Sequence, residues 1–341
     1  IVSLIYASFT FIFFALEAAI MSMALELLLG IPLFWGYIIS AVAVIPLVLF
    51  GITNISRFQM LSQPLWLTMQ IVPLFYVFSH PDSQLDSWLA YTGINQHGGS
   101  FNWLLFGSAS AVLLAVIAQL GEQVDFLRFL PEQKKTGRLK WWLAMLFGGP
   151  GWMLFGAAKL ALGSYLAWLA ISHGFYPKEA SDPAHMYLNA FSYMTENTKL
   201  ALLAAGVFVI MSQLKINVAN AYAGSLAWSN FFSRLTHNHP GRVVWMVFNV
   251  VIALLLMELG IYQLLEKTLQ VYSVLVLAWI GSLVADLLIN KPLGLSPPGI
   301  EFKRSKLYDI NPVGLGSMII ASSIGIAAHL DVFNEAIKAF A

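Results

Sequence analysis

Apolar residues in this chain come in long, nearly unbroken runs, with neither the strict alternation of a half-buried strand nor the narrow stripe of a surface helix. Runs of about 17–25 apolar residues are long enough to cross a bilayer as helices. Nine can be drawn, at approximately 3–28, 34–52, 63–79, 102–121, 142–172, 200–225, 243–262, 268–289 and 312–331. The pattern predicts an all-α, polytopic membrane protein. The fifth run is too long for one straight crossing, and Gly148-Gly149-Pro150-Gly151 marks where it should break. A membrane helix tolerates such an interruption where neighbours satisfy the freed backbone groups.

Composition agrees. Of 341 residues 59% are hydrophobic and 10% charged, with mean hydropathy +0.75, against about 25% charged in soluble domains. With no cysteine, the chain offers no disulfide, thiol nucleophile or Cys-ligated metal. The chain starts without Met, inside an apolar run, and reads as a single membrane domain, 1–341, that is a piece of something longer.

Charge then sets orientation. In alternate connections, one side carries twelve Lys and Arg and the other four, with Lys159 and Lys215 left inside spans. The positive-inside rule places the 122–141, 229–242 and 290–311 loops in the cytoplasm and the 80–101 and 173–199 loops outside. Topology accounts for the basic loops, so they call for no nucleic-acid partner. His237 and His239 lack a nearby carboxylate and are weak metal evidence; His97 and His173, each beside glycine, read as loop punctuation. No extramembrane segment carries a catalytic triad, a phosphate-cradling glycine loop or a carboxylate pair. No enzyme chemistry, metal or cofactor is therefore expected.

What remains is polarity inside the spans. Glu26, Glu258 and Asp286 lie near span ends, where reaching the headgroups costs little. Glu17 lies mid-span, and a carboxylate there must be paired, protonated or facing a cavity. Lys159 reads equally as an ion-pair partner or a functional group. The richest stretch is Ser212–Ser229. Gln213, Asn217, Asn220 and Gly224 share one helical face; Ser212, Lys215, Ala219 and Tyr222 share another. Two polar faces on one buried helix predict two adjacent sites. The segment Gln119–Phe129 is dense in polar groups, either as an unwound helix end at a site or as an ordinary helix end with an Asp125–Arg128 pair.

Three segments together resemble the nucleobase:cation symporters, the family of purine, cytosine, allantoin and hydantoin permeases. They are Asn217-x-x-Asn220-x-Tyr222-x-x-x-Leu226-x-x-Ser229, then Asp125-Phe126-x-Arg128-Phe129, and Ala285-Asp286 followed by Tyr308-Asp309-x-Asn311-Pro312-x-Gly314-Leu315. The resemblance implies a leucine-transporter-type bundle of two inverted five-helix repeats, with nine of twelve helices present and the first two and the last missing. It implies a midplane site for a nucleobase or related heterocyclic amide. There Glu17 and Asn220 would read ring edges and Phe13 would stack on a face, with Asn217 and Gln119 nearby. Lys215-Ile216 stands where the family has its sodium-coordinating Ser/Thr pair, so transport is expected to be sodium-independent, with Lys215 either replacing the cation or carrying a proton.

The run Phe9–Glu17, the segment Gly121–Phe126 and Ala227–Asn230 also resemble the permease-like membrane part of bacterial hybrid sensor histidine kinases. That resemblance implies a ligand-sensing domain fused to cytoplasmic signalling domains, with kinase activity only if those domains follow. Either way the expected setting is the bacterial inner (plasma) membrane, and the expected partners are lipid and a small heterocycle.

Overall fold

A computed structural model describes residues 2–81, 83–93, 100–119, 127, 130–134, 137–149, 151–237, 240–299, 311–330 and 332–333. Among the described residues every regular element is helical. In chain order they are α1 (Val2–Leu29), α2 (Leu33–Leu49), α3 (Ile52–Ser79), α4 (Leu85–Leu89), α5 (Trp103–Ala115), α6 (Arg138–Gly148) and α7 (Trp152–Ser172). There follow α8 (Pro177–Ala180), α9 (Pro183–Ser192), α10 (Thr198–Thr236), α11 (Arg242–Glu258), α12 (Leu265–Ala285) and α13 (Pro312–His329).

Among the described residues six helical stretches are long and apolar enough to cross a membrane: Val2–Leu29, Ile52–Ser79, Met153–Ser172, Thr198–Thr236, Ile261–Asn290 and Pro312–His329. Leu33–Leu49 and Trp103–Gln119 are shorter apolar helices. Their outer faces fit lipid. On α3 alone, Leu61 is 83% exposed and Phe75 67%, an apolar display that a water-soluble surface does not sustain over this area. The chain is membrane-embedded.

The helix bounds follow local chemistry. Asn197 caps α10 by accepting from the backbone N–H of Lys199 and Leu200. Asn102 caps α5 and Asn311 caps α13 in the same way, with Pro312 at the first helical position. The 142–172 run does break as its glycines predict, between Gly148 and Trp152. Three other expected bounds move. The third run, drawn from 63, is a helix from Ile52. The eleventh residue past 225 is still in α10, so much of the expected 229–242 loop is helix. And the fourth run tightens into a 3-10 turn over Val116–Gln119. At 1.5 Å per residue the 39 residues of α10 reach about 58 Å, beyond a hydrocarbon core of about 30 Å. The helix therefore continues outside it, carrying Trp228, Phe231 and Phe232. Phe232 stacks on Trp245 of α11 at 4.4 Å, an aromatic group beside Arg234 and Arg242 as found at membrane interfaces.

The chain divides into two compact units. The smaller holds residues 1–5, 98–120 and 263–341. In it α12 packs against α5 and α13, with Gly325 tight against Val274 and the Ser282 and Ser317 hydroxyls 3.2 Å apart. Asp286 of this unit pairs with Lys291 at 3.6 Å, as a charge near a span end can.

The larger unit holds residues 6–97 and 121–262 and is built on α10, which packs against α2, α3, α9 and α11. Small residues set its closest approaches, as between helices in lipid. Gly36 of α2 lies on Ser22 of α1, whose hydroxyl meets that of Ser40 at 3.0 Å. Gly224 of α10 lies against Thr10 of α1 and Asn249 of α11. There the Asn249 carboxamide oxygen accepts from Thr10 at 3.2 Å and from the Trp228 indole at 3.0 Å. Arg242 closes the end of α2, donating to the carbonyls of Val48 and Leu49.

Candidate functional site

Two helices bring most of the polarity of the larger unit together. On α3, Gln59, Gln63, Trp66 and Gln70 fall at i, i+4, i+7 and i+11, one face of the helix. On α10, Ser212, Gln213 and Lys215 come to meet them. The contact is reciprocal. Lys215 Nζ donates to the Gln59 carbonyl at 3.1 Å and to Ser62 Oγ at 2.8 Å, while Gln59 Nε2 donates back to the Lys215 carbonyl at 2.7 Å. One turn on, the Trp66 indole donates to Ser212 Oγ at 2.8 Å. Hydrogen bonds to a charged donor are worth roughly 1.5–3 kcal/mol each, so this cluster fixes α3 on α10.

Beside it lies a cavity of about 690 Å³. Glu17 enters from α1, Lys159 and Gly163 from α7, Pro183, Met186 and Tyr187 from α9, and the polar faces of α3 and α10 complete the wall. Phe208, Val209 and Leu166 form its apolar floor and belong to the buried clusters that flank it. The volume suits a drug-sized or smaller ligand, and such sites are mostly apolar with a few convergent polar groups.

The polar groups are of two kinds. The first are charges: Glu17, Lys159 and Lys215. Lys159 Nζ stands over the Trp66 ring at 5.6 Å, and among the described residues no ion pair joins it to Glu17. The second are amides with a free valence. Tyr187 donates its O–H to Gln70 Oε1 at 3.0 Å; among the described residues the buried Gln70 Nε2 has no partner, and the buried Gln213 Oε1 has none either. A buried polar group left unsatisfied costs roughly 1–3 kcal/mol. An unused donor and an unused acceptor lining one cavity are the complement of an acceptor and a donor on a ligand.

The structure thus brings Glu17 and Lys215 to one cavity with Lys159, and it does so through α3 and α7. The other sequence-derived candidates lie elsewhere. Asn217 and Asn220 are buried beside each other in α10, Asn220 Nδ2 donating to Asn217 Oδ1 at 3.2 Å with Asn217 Nδ2 unpartnered. Phe13 packs on Phe9, with ring centroids 4.5 Å apart. None of the three is among the cavity residues. Gln119 closes the 3-10 turn of the smaller unit. Asp125, Arg128 and most of Gln119–Phe129, like Tyr308, Asp309, His97 and His239, lie outside the described residues. Sequence reasoning missed Gln59, Gln63, Trp66 and Gln70. Their signal was available as a glutamine stripe at helical spacing, but the same polarity depressed the hydropathy that would have marked their first turns as helix.

A second cleft, of about 430 Å³, opens among His80, His173, Tyr193 and Glu196. His173 is more than loop punctuation. One ring nitrogen meets the Leu169 carbonyl at 2.7 Å and the other the Tyr193 hydroxyl at 3.2 Å. Nearby, Asp182 caps α9 through Ala184 N and holds His185 Nδ1 at 2.6 Å, a hydrogen bond that raises the imidazole above its ordinary value. Among the described residues no group of three or more His, Asp or Glu could hold a metal ion. Compared with protein-family models, curated proteins and solved structures, the chain matches none.

Proposed function

We propose that this membrane protein is a solute permease of the purine/cytosine type. In this reading it takes a nucleobase or related heterocyclic amide into the cavity of the larger unit and moves it by alternating access, without sodium. The observation that carries the reading is that the same cavity is lined by a Gln70 Nε2 donor on α3 and a Gln213 Oε1 acceptor on α10, neither with a partner among the described residues. A ring –CO–NH– group offers the matching acceptor and donor in a single plane, and Trp66 supplies an aromatic wall beside them. Lys215 supports the sodium-independent part: its Nζ bridges α10 to α3 where the family would hold the cation. The proposal includes a nine-span arrangement in the bacterial inner membrane, with the basic loops in the cytoplasm.

The test is uptake of radiolabelled uracil, cytosine, hypoxanthine and hydantoin into vesicles containing the chain, in sodium and in choline buffer. Saturable uptake of at least one compound, unchanged by choline, is expected. Absence of binding and uptake across the panel would defeat the reading. Saturable binding without uptake would instead identify a ligand-sensing domain.

A further inference from the structure

The charges lining the cavity do not balance. Counted as formal charges, Glu17 supplies one negative and Lys159 and Lys215 two positive. Lys215 is 9% exposed, and its hydrogen-bond partners among the described residues are a carbonyl and a hydroxyl, both neutral, with the Phe58 ring centroid 5.9 Å from Nζ. Such contacts satisfy two of the three ammonium donors but leave the charge itself uncancelled. In a site walled by apolar side chains and lipid, that charge acts over a longer range than it would in water, and a buried charge normally has a counter-charge. Glu17 does not provide it: among the described residues no ion pair joins Lys215 to Glu17. The wall as a whole is left one positive charge in excess.

We infer that the cavity selects a monoanionic ligand: a heterocyclic amide bearing a carboxylate or an equally acidic group, whose negative charge balances the lining. This rests on the reading of the cavity as a solute site, and it narrows the ligand from any nucleobase-like amide to an acidic one. The ring amide engages Gln70 and Gln213, and the anionic group is what distinguishes the ligand from its neutral parent. Lys159 and Glu17 tune this selectivity in opposite senses. Lys159 makes no part of the α3–α10 cluster, so replacing it leaves that brace intact.

The experiment compares uracil with orotate, the same ring carrying a carboxylate. Both are titrated calorimetrically into the purified chain in nanodiscs near pH 7, in a buffer of low ionic strength so that small anions do not fill the site. Orotate is expected to bind about tenfold tighter than uracil, the ratio set by one charged hydrogen bond. Lys159→Gln should weaken orotate about tenfold, and Glu17→Gln should tighten it by a similar factor. Uracil is the neutral reference: the orotate-to-uracil affinity ratio is expected to fall about tenfold with Lys159→Gln and to rise by a similar factor with Glu17→Gln. Uracil binding as tightly as orotate would overturn the inference while leaving the proposed function standing. So would both substitutions shifting orotate in the same direction. Failure of both compounds to bind the unmodified chain would instead defeat the reading of the cavity as a nucleobase-like site.

Discussion

Gly224 shows how little room the centre of the larger unit allows. A Cβ added there would lie 2.6 Å from both Asn249 Oδ1 and Thr10 Oγ1, atoms already held by hydrogen bonds to each other and to Trp228. They cannot retreat without breaking that buried network. Gly224→Ala should therefore destabilise the protein by roughly 1–3 kcal/mol, the usual cost of overpacking. Gly281 of α12 has no heavy atom within 4 Å of the corresponding position, so Gly281→Ala should be neutral or stabilising by up to about 1 kcal/mol. Thermal unfolding of the two variants in detergent is the measurement; equal melting temperatures would show that the α1–α10–α11 approach is looser than described. Neither glycine differs from the other in the sequence. What separates them is which helix crosses where. Lys215 is different: an ammonium in an apolar run is conspicuous in one dimension, but its partners, 153 and 156 residues earlier on α3, are not.

At the scale of the element, α3 is the helix whose two faces are most unlike. Gln59, Gln63, Trp66 and Gln70 face the cavity, while Leu61, Leu65 and Phe75 stand exposed on the outside. Pro64 and Pro73 lie within it, and in a membrane helix such residues are accommodated where neighbours or hydroxyls satisfy the freed groups. The absence of cysteine makes a labelling test clean. Gln63→Cys should react with a hydrophilic maleimide and be protected by a bound heterocycle, whereas Leu65→Cys, facing lipid, should not react. Equal labelling of both would mean that the helix is not rotated as described. Here the limit on reading the sequence is physical. An apolar-run criterion detects helices that are greasy all round, so it shortens any helix that turns polar residues toward a cavity. The Ser212–Ser229 stretch was legible as a two-faced helix because its polar residues are diluted by alanine and valine.

For the whole molecule the charge asymmetry makes the sharpest claim. Ser87 lies in a connection expected outside, and Glu132 in one expected in the cytoplasm; both are exposed. Ser87→Cys should be labelled by an impermeant maleimide in intact cells, and Glu132→Cys only after permeabilisation. The reverse pattern would invert the topology and with it the side from which the cavity is approached.

Composition and run length were enough to establish a membrane-embedded, all-helical chain, because burying about 20 apolar residues per segment in lipid depends only on local hydropathy. The glycine-rich break after Gly148 was equally legible, since it depends on backbone chemistry confined to four residues. The cavity was not. Glu17, Gln63, Lys159 and Gln213 come from four helices, and what joins them is the packing of α10 against α3 and α9. Helical periodicity tells which residues share a face of one helix, but two faces meet only through tertiary contacts between distant parts of the chain. The sequence made Glu17 and Lys215 conspicuous; tertiary structure alone set them around the same space.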